Sequence, residues 1–385
     1  MCCVYIHIPF CKKICDYCDF RVMPVRPSVY KEFTEVICKQ IVFFEREYPG
    51  FLAKSKTLYL GGGTPSALPA VYLREIFECL ASVGVATDNL CEVSMEFNPE
   101  STNRDTVESA VSLGVNRISL GLQTFDDNLL KIVGRSHSVE AGLDALQLLT
   151  SVPDLQVNAD LMFNLPTQTL QGFLSDVERL SDFPLNHISF YGLNVSERTR
   201  LGHRVARGEL SIDEDLYEPM YMGGVEILEC KGFARYEVSN FARPGYESVH
   251  NQNYWNRGEY AGFGPGAHSF VGGTRFYAPE IYPRWRDYVN AGCPRERLTL
   301  DCLNRDDVLM EDIWLSLRQS KGFSLEGLKA YVDSKNATSV EHCIEKWMSK
   351  KFIVKKDDSV ILSGRGWVFM DEIASDLANS CSNLE

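Results

Sequence analysis

The chain has no run of eighteen or more apolar residues, and so no segment that would span a bilayer as a helix. Its first residues, Met1-Cys2-Cys3-Val4-Tyr5-Ile6-His7, lack the basic stretch leading into a long apolar one that marks a secretory signal. Basic residues are in deficit: 39 Lys and Arg stand against 52 Asp and Glu, a net charge of −13. Non-specific nucleic-acid binding depends on Lys and Arg neutralising phosphates, so this balance argues against it. The 13 cysteines are odd in number and scattered, unlike the even framework of a small disulfide-stapled domain. A reducing cytoplasm fits, with most thiols acting as small buried hydrophobes. What remains is an ordinary globular composition, 45% hydrophobic and 24% charged, long enough at 385 residues for two or three domains.

Residues 1–197 alternate between short β-like runs and helical periods. The apolar runs are Val4–Ile8, Thr57–Leu60, Cys91–Phe97, Arg117–Leu122, Leu155–Phe163 and His187–Leu193, and helical spacing lies between them. Such alternation predicts an α/β fold with a parallel sheet. Six repeats fall short of the eight of a full TIM barrel, so a partial barrel is expected, with its site at the C-terminal strand ends. Residues 198–294 are rich in Gly, Tyr and Asn, with one acidic helical stretch at Ile212–Leu228 and a turn-prone run at Phe241–Gly273. Residues 295–385 return to helical spacing over Asp307–Arg318, Leu325–Val332 and Val340–Lys350. A short hairpin (Phe352–Lys355 and Ser359–Leu362) and a last helix, Gly366–Leu377, follow, which suggests a winged-helix-like module.

Directly after the first β-like run, Cys11, Cys15 and Cys18 stand in C-x3-C-x2-C spacing. Three thiolates this close can converge on one inorganic centre, and soft thiolates suit iron–sulfur clusters and zinc. A structural zinc site takes four protein ligands, and no fourth Cys or His sits in a nearby register. Three cysteines would leave one iron of a 4Fe–4S cluster open to a cofactor; zinc, or three unrelated buried thiols, are the bland alternatives. Further on, Leu58-Tyr59-Leu60 runs into Gly61-Gly62-Gly63-Thr64, where consecutive glycines let a ligand approach the backbone. Glu96 and Gln123 end the third and fourth runs, Arg135 offers a guanidinium, and Asp160 sits inside an apolar run. An acid in such a strand is costly unless paired, which favours a role inside the barrel. A plain turn and solvated strand-end acids are the competing readings.

Tyr5-Ile6-His7-Ile8-Pro9-Phe10 followed by the three cysteines resembles the radical S-adenosylmethionine (SAM) superfamily. The match lies in the branch that holds oxygen-independent coproporphyrinogen III oxidase and heme chaperones. It covers nearly the whole chain, with motifs in order to about Phe270 and a more diffuse match beyond. The resemblance implies a partial (β/α)6 TIM-like radical SAM barrel, an irregular α+β extension and the winged-helix-like module. It implies a 4Fe–4S cluster on Cys11, Cys15 and Cys18. Tyr5, Gly62, Gly63, Thr64, Glu96, Gln123, Arg135 and Asp160 match SAM-contacting positions, and Tyr17 matches one whose ring lies near the adenine. The chemistry implied is reductive: a flavodoxin- or ferredoxin-like partner feeds an electron through the cluster, and SAM is cleaved to methionine and a 5′-deoxyadenosyl radical.

Two departures separate the relatives within the branch. The oxidase carries a fourth cysteine two residues after the third and an extension ahead of its cluster motif. Here Asp19 and Phe20 follow Cys18, and only ten residues precede Cys11. Both features match the chaperones. His250-Asn251-Gln252-Asn253-Tyr254-Trp255 resembles their HNxxYW motif, associated with heme, and a neutral imidazole is a good axial ligand. From chemistry alone, a histidine hydrogen-bonded within a Gly- and Asn-rich loop is the stronger reading of His250, and the resemblance turns it toward heme; His268, in Gly262–Phe270, is a second candidate. The expectation is a cytoplasmic heme chaperone without oxidase activity that delivers heme to apo-haemoproteins. The alternative is an oxygen-independent coproporphyrinogen III oxidase or a related enzyme of porphyrin metabolism. A zinc-dependent nucleic-acid module conflicts with the charge and leaves the βα repeats unexplained.

Overall fold

Strands buried on both faces read as near-continuous apolar runs, and parallel sheets are built from such strands. In the computed structural model, which describes residues 1–329, 332 and 336–381, the first run is β1, Cys2–Ile8, where only Tyr5 is not fully buried. The next five are β2 (Ser55–Gly62), β3 (Glu92–Phe97), β4 (Arg117–Gln123), β5 (Gln156–Phe163) and β6 (His187–Gly192). They pair in sequence order, every pair parallel. The intervening helices are α1 (Tyr30–Glu47), α2 (Ala70–Ser82), α3 (Arg104–Ser112), the short α4 (Asp127–Ile132), α5 (Val139–Thr150) and α6 (Leu170–Ser181). The partial (β/α)6 barrel expected from the alternation is therefore present. α3 starts three residues ahead of its first apolar position, because a polar cap sets its start. At α3, Asn103 and Thr106 form a reciprocal capping box ahead of the first apolar position, Val107.

Both edges of this sheet are extended by strands from residues 198–301, which carries the sheet a few residues past the expected boundary at 294. On one side β7 (Asn240–Ala242) pairs antiparallel with β6, and Ala234–Arg235 pairs with β7. On the other, β8 (Glu259–Phe263) lies parallel to β1 and adds a seventh parallel strand. β9 (His268–Val271), β10 (Thr274–Tyr277) and β11 (Thr299–Asp301) continue antiparallel from it. The acidic helix expected at Ile212–Leu228 begins later, as α8 (Tyr217–Cys230), after a tight turn capped by Asp213. Three helices of this segment escaped the periodicity, α7 (Arg200–Ala206), α9 (Val249–Trp255) and α10 (Tyr282–Asn290). α9 is mostly polar in sequence, yet it plugs the concave side of the sheet. Glu92 on β3 caps it, accepting from Val249 N, His250 N and Ser248 Oγ at 2.8–3.1 Å.

After α10 (Tyr282–Asn290), the C-terminal module packs α11 (Arg305–Leu317), α12 (Leu325–Lys329), α13 (Ala337–Ser349) and α14 (Met370–Cys381) around a three-stranded antiparallel sheet. That sheet consists of Phe323–Ser324, Ser359–Leu362 and Ile353–Lys356, a winged-helix-like arrangement. Of the helix expected over Leu325–Val332, α12 accounts for Leu325–Lys329, Val332 is not helical, and residues 330 and 331 lie outside the described residues. The last helix starts at Met370 rather than Gly366 because residues 364–367 form a tighter turn. Arg318, just past α11, joins the module to the extension through a carboxylate with no exposed side-chain surface, Glu237, at 2.9 Å. Arg318 also lies 3.9 Å above the Trp255 ring.

Candidate functional site

The cysteine loop is held at both ends by backbone. Met23 N donates to Pro9 O at 2.7 Å and Val25 N to Cys11 O at 2.9 Å, closing the loop back on its start. Its middle is stapled by Asp16, whose N–H donates to Val133 O and whose carbonyl accepts from Leu201 N, at 3.0 and 2.7 Å. Gly134, at φ +76°, makes this possible: a Cβ there would stand 2.8 Å from Asp16 N. Arg204 and Arg200, on α7, face the Asp16 carboxylate at 3.6 and 3.9 Å. A helix invisible to the sequence pattern thus helps to shape the loop.

Cys11, Cys15 and Cys18 border a cavity of about 440 Å³ at the C-terminal ends of the parallel strands. Tyr17, Gly62, Gly63, Thr64, Glu96, Gln123, Arg135 and Asp160 line the same cavity. Tyr5 does not: it faces a neighbouring cavity of about 500 Å³, together with His250. Tyr59, Gly62, Glu96 and Phe20 line both cavities, so the two adjoin. Among the described residues no three His, Cys, Asp or Glu side chains close on a single ion. The three thiols instead ring a space with room for a larger inorganic group.

A polar chain links two of the cysteines through residues expected to hold SAM. Arg135 Nη1 donates to Cys15 Sγ at 3.5 Å, and its Nη2 donates to Asn98 Oδ1 at 2.8 Å and Gly121 O at 2.6 Å. Asn98 Nδ2 donates to Thr64 Oγ1 at 2.8 Å, and Thr64 Oγ1 donates to Cys11 Sγ at 3.6 Å. Asn98 is the residue the sequence reading passed over. Its signal was present, since it follows Glu96 at the end of the third run, where strand-end residues of this fold converge. Arg135 Nε is buried with no hydrogen-bond partner among the described residues, a donor left open for a bound acceptor. Burial pushes the Cys11 thiol up to about 12 and the Cys18 thiol up to about 11. Neither is a thiolate at neutral pH without a metal to stabilise it.

Glu96 accepts from Tyr59 Oη at 2.9 Å and from Gly62 N at 3.0 Å. Burial raises its pKa to about 7, against the lowering effect of these two donors. Asp160 is likewise raised by burial, and accepts from Ser119 Oγ at 3.0 Å and Asn158 Nδ2 at 2.7 Å. Asp160 is therefore paired with hydroxyl and amide donors inside the barrel, as its cost in an apolar strand demanded. Gln123 takes a left-handed φ of +73° where the pairing of β4 with β5 shifts register, which ends the strand at the cavity. Gly63 approaches the first strand closely: its N–H donates to Ile8 O and Thr64 N to Phe10 O, both at 2.8 Å. The open Arg135 donor, the glycine cradle and the ring of thiols together fit an iron–sulfur cluster beside a ligand that carries a carboxylate and an amine.

In the neighbouring cavity His250 is buried, with Nδ1 2.7 Å from Thr57 Oγ1 and Nε2 3.0 Å from Tyr254 Oη. Both ring nitrogens are engaged within the protein. Burial lowers its pKa to about 3, so the imidazole is neutral. His268, in contrast, is exposed at the cavity wall, stacked on Tyr277 with ring centroids 4.4 Å apart. His7 bridges Tyr5 Oη at 3.1 Å and Arg21 O at 2.8 Å, so it ties β1 to the cysteine loop.

Residues 5–180 match the model of the radical SAM superfamily. The heme chaperone HemW of Lactococcus lactis is 34% identical over 84% of this chain and 83% of its own. A mitochondrial radical S-adenosyl methionine domain-containing protein 1 of Danio rerio is 30% identical over 96% of this chain and 85% of its own. The solved structure of coproporphyrinogen III oxidase (HemN) from Escherichia coli superposes with a TM-score of 0.83. It covers 98% of this chain and 90% of that one at 18% identity, and so shares the fold.

Proposed function

Since the chain belongs to the HemW family of the radical SAM superfamily, we propose that it is a heme chaperone that passes heme to apo-haemoproteins. The observation that carries this reading is the pair of adjoining cavities, one ringed by three thiols and the other walled by imidazole and tyrosine. Cys11, Cys15 and Cys18 would hold the cluster, and Tyr17, Gly62, Gly63, Thr64, Glu96, Gln123, Arg135 and Asp160 would hold SAM, with Tyr5 behind Tyr59 on the far side. When bound, these cofactors supply one-electron reductive chemistry. The chain's own part is positional. Arg135 and Thr64 donate toward Cys15 and Cys11, Glu96 presents an acceptor for an amine or a ribose hydroxyl, and Gly63 keeps the backbone close to the cysteine loop.

The second cavity would take heme as cargo, with His250, Tyr254 and Tyr260 on its wall. Its volume of about 500 Å³ lies in the range of pockets that enclose sizeable ligands, and its tyrosines offer flat apolar faces. Asp19 and Phe20 stand where a fourth cysteine would follow Cys18, and both face this cavity. No helix among the described residues is long and apolar enough to cross a membrane. A cytoplasmic site of action and a flavodoxin- or ferredoxin-like reductant complete the proposal. The test is a heme titration of the anaerobically reconstituted protein, followed by absorbance, beside an assay for coproporphyrinogen decarboxylation. Saturable one-to-one heme uptake without decarboxylation supports the chaperone. Decarboxylation without heme uptake would replace it with the oxidase.

A further inference from the structure

Two imidazoles face the second cavity, and they differ in what they are free to do. His250 sits on α9, whose first turn is fixed by the Glu92 carboxylate, and its two ring nitrogens are bonded to Thr57 and Tyr254. Its ring is packed between Tyr59 and Tyr254, with centroids 5.1 and 5.0 Å away. To reach a metal, one nitrogen would have to abandon a buried hydroxyl and leave that hydroxyl unpaired. His268 carries no such load. Neither of its ring nitrogens has a hydrogen-bond partner among the described residues, and its imidazole lies exposed on the cavity wall.

His268 is nonetheless rigidly mounted. It opens β9 opposite Tyr277 on β10, and the two rings stack with planes 22° apart. Behind it, Gly262 admits the strand closely: a Cβ on Gly262 would stand 2.0 Å from the His268 carbonyl oxygen. A free nitrogen on a fixed ring is what an axial ligand needs, because axial ligation is a main lever by which a protein holds and tunes heme.

Resting on the heme-chaperone reading, we infer that His268 is the axial ligand to the iron of heme bound in this cavity, and that His250 is a positioning residue. His250 holds the Tyr254 hydroxyl and so sets the angle of a ring that lies against the porphyrin.

The experiment is a ferric-heme titration of the full reconstituted chain, read by absorbance and electron paramagnetic resonance, on wild type, His268→Ala, His268→Cys and His250→Ala. Losing even a group that merely supports a metal ligand weakens binding about 10- to 100-fold, so losing the ligand itself should cost no less. His268→Ala should therefore bind at least about tenfold more weakly, lose the wild-type spectrum and regain it on adding imidazole. His268→Cys should shift the spectrum to that of a thiolate-ligated heme, a gain that misfolding cannot mimic. His250→Ala should keep the wild-type spectrum at reduced affinity. Wild-type spectra in both His268 variants, or a loss in His250→Ala that imidazole repairs, would overturn the assignment. If wild type itself takes up no heme, the chaperone reading fails first and this assignment falls with it.

Discussion

Gly63→Ala tests whether the cysteine loop is built on backbone contact with β2. A Cβ on Gly63 would lie 2.8 Å from Ile8 O, from Phe10 O and from the Pro9 carbonyl carbon. That is roughly 0.7 Å inside ordinary contact. All three atoms belong to the main chain, so no change of rotamer relieves the clash. The flanking hydrogen bonds, Gly63 N to Ile8 O and Thr64 N to Phe10 O at 2.8 Å, hold both sides together. The displacement must pass to residues 8–11, and hence to Cys11. Overpacking of this kind costs about 1–3 kcal/mol, which is roughly 5- to 150-fold in the population of the cluster-competent geometry. Iron and sulfide per chain after anaerobic reconstitution should fall, SAM affinity should fall with them, and Tm should drop by about 2–4 °C per kcal/mol. Gly327→Ala is the control, because a Cβ there meets nothing nearer than Ser324 at 3.6 Å. Wild-type iron content, SAM affinity and Tm in Gly63→Ala would refute the reasoning.

Other consequences follow from buried charge. Arg318→Ala strands the Glu237 carboxylate, whose side chain has no exposed surface, without its cation. A loss of about 3–5 kcal/mol in urea unfolding is expected, and Glu237→Gln in the same background should restore part of it; a loss under 1 kcal/mol would contradict this. His250, His137 and His187 are all held neutral by burial, with pKa values of about 3, about 4 and well below the usual range. Their folded pKa values lie below the unfolded one, so the stability they contribute is complete above pH 6.5 and is lost as pH falls and the unfolded chain takes up protons. Each adds a slope of about 1.4 kcal/mol per pH unit between roughly pH 6 and 5, and the urea midpoint of His250→Gln should vary less steeply there. Glu96, raised to about 7, should accept SAM's amine or ribose better once ionised. Equilibrium dialysis should show SAM affinity rising from pH 6 to 8 in wild type, and a weaker, flat profile in Glu96→Gln.

The sheet was legible because burial on both faces writes itself into composition. Leu58, Leu60, Ile118, Leu120, Ile188 and Phe190 alternate along strands whose other face is also covered, and no tertiary knowledge is needed to see them. The cysteine loop was legible for a different reason: its three thiols lie within eight residues, so their convergence is local. Asn98 was half-visible. It occupies a strand end, but nothing in the sequence says that its amide bridges Arg135 and Thr64, which lie 37 and 34 residues away in the chain. α7 and α9 were hidden because their apolar spacing is weak and their starts are set by caps, Thr199 onto Gly202 N and Ser248 onto Asn251 N.

The histidine of the HNxxYW motif shows where the sequence falls silent. His250 in a Gly- and Asn-rich stretch reads by chemistry as a structural group and by resemblance as a ligand, and the partner that decides is Thr57, 193 residues earlier. Glu92 acts over a similar span, holding the first turn of α9 from the third strand of the barrel. β8 lies beside β1, which brings α9, just ahead of it, against the first two strands, while β7 returns to pair with β6 at the other edge. The plug brings His250 up against the barrel wall and leaves His268, on the next strand out, facing the cavity that adjoins the three thiols. A motif histidine buried in the plug and a free one on its rim are thus two products of one topology, and the free one has the open nitrogen that iron requires.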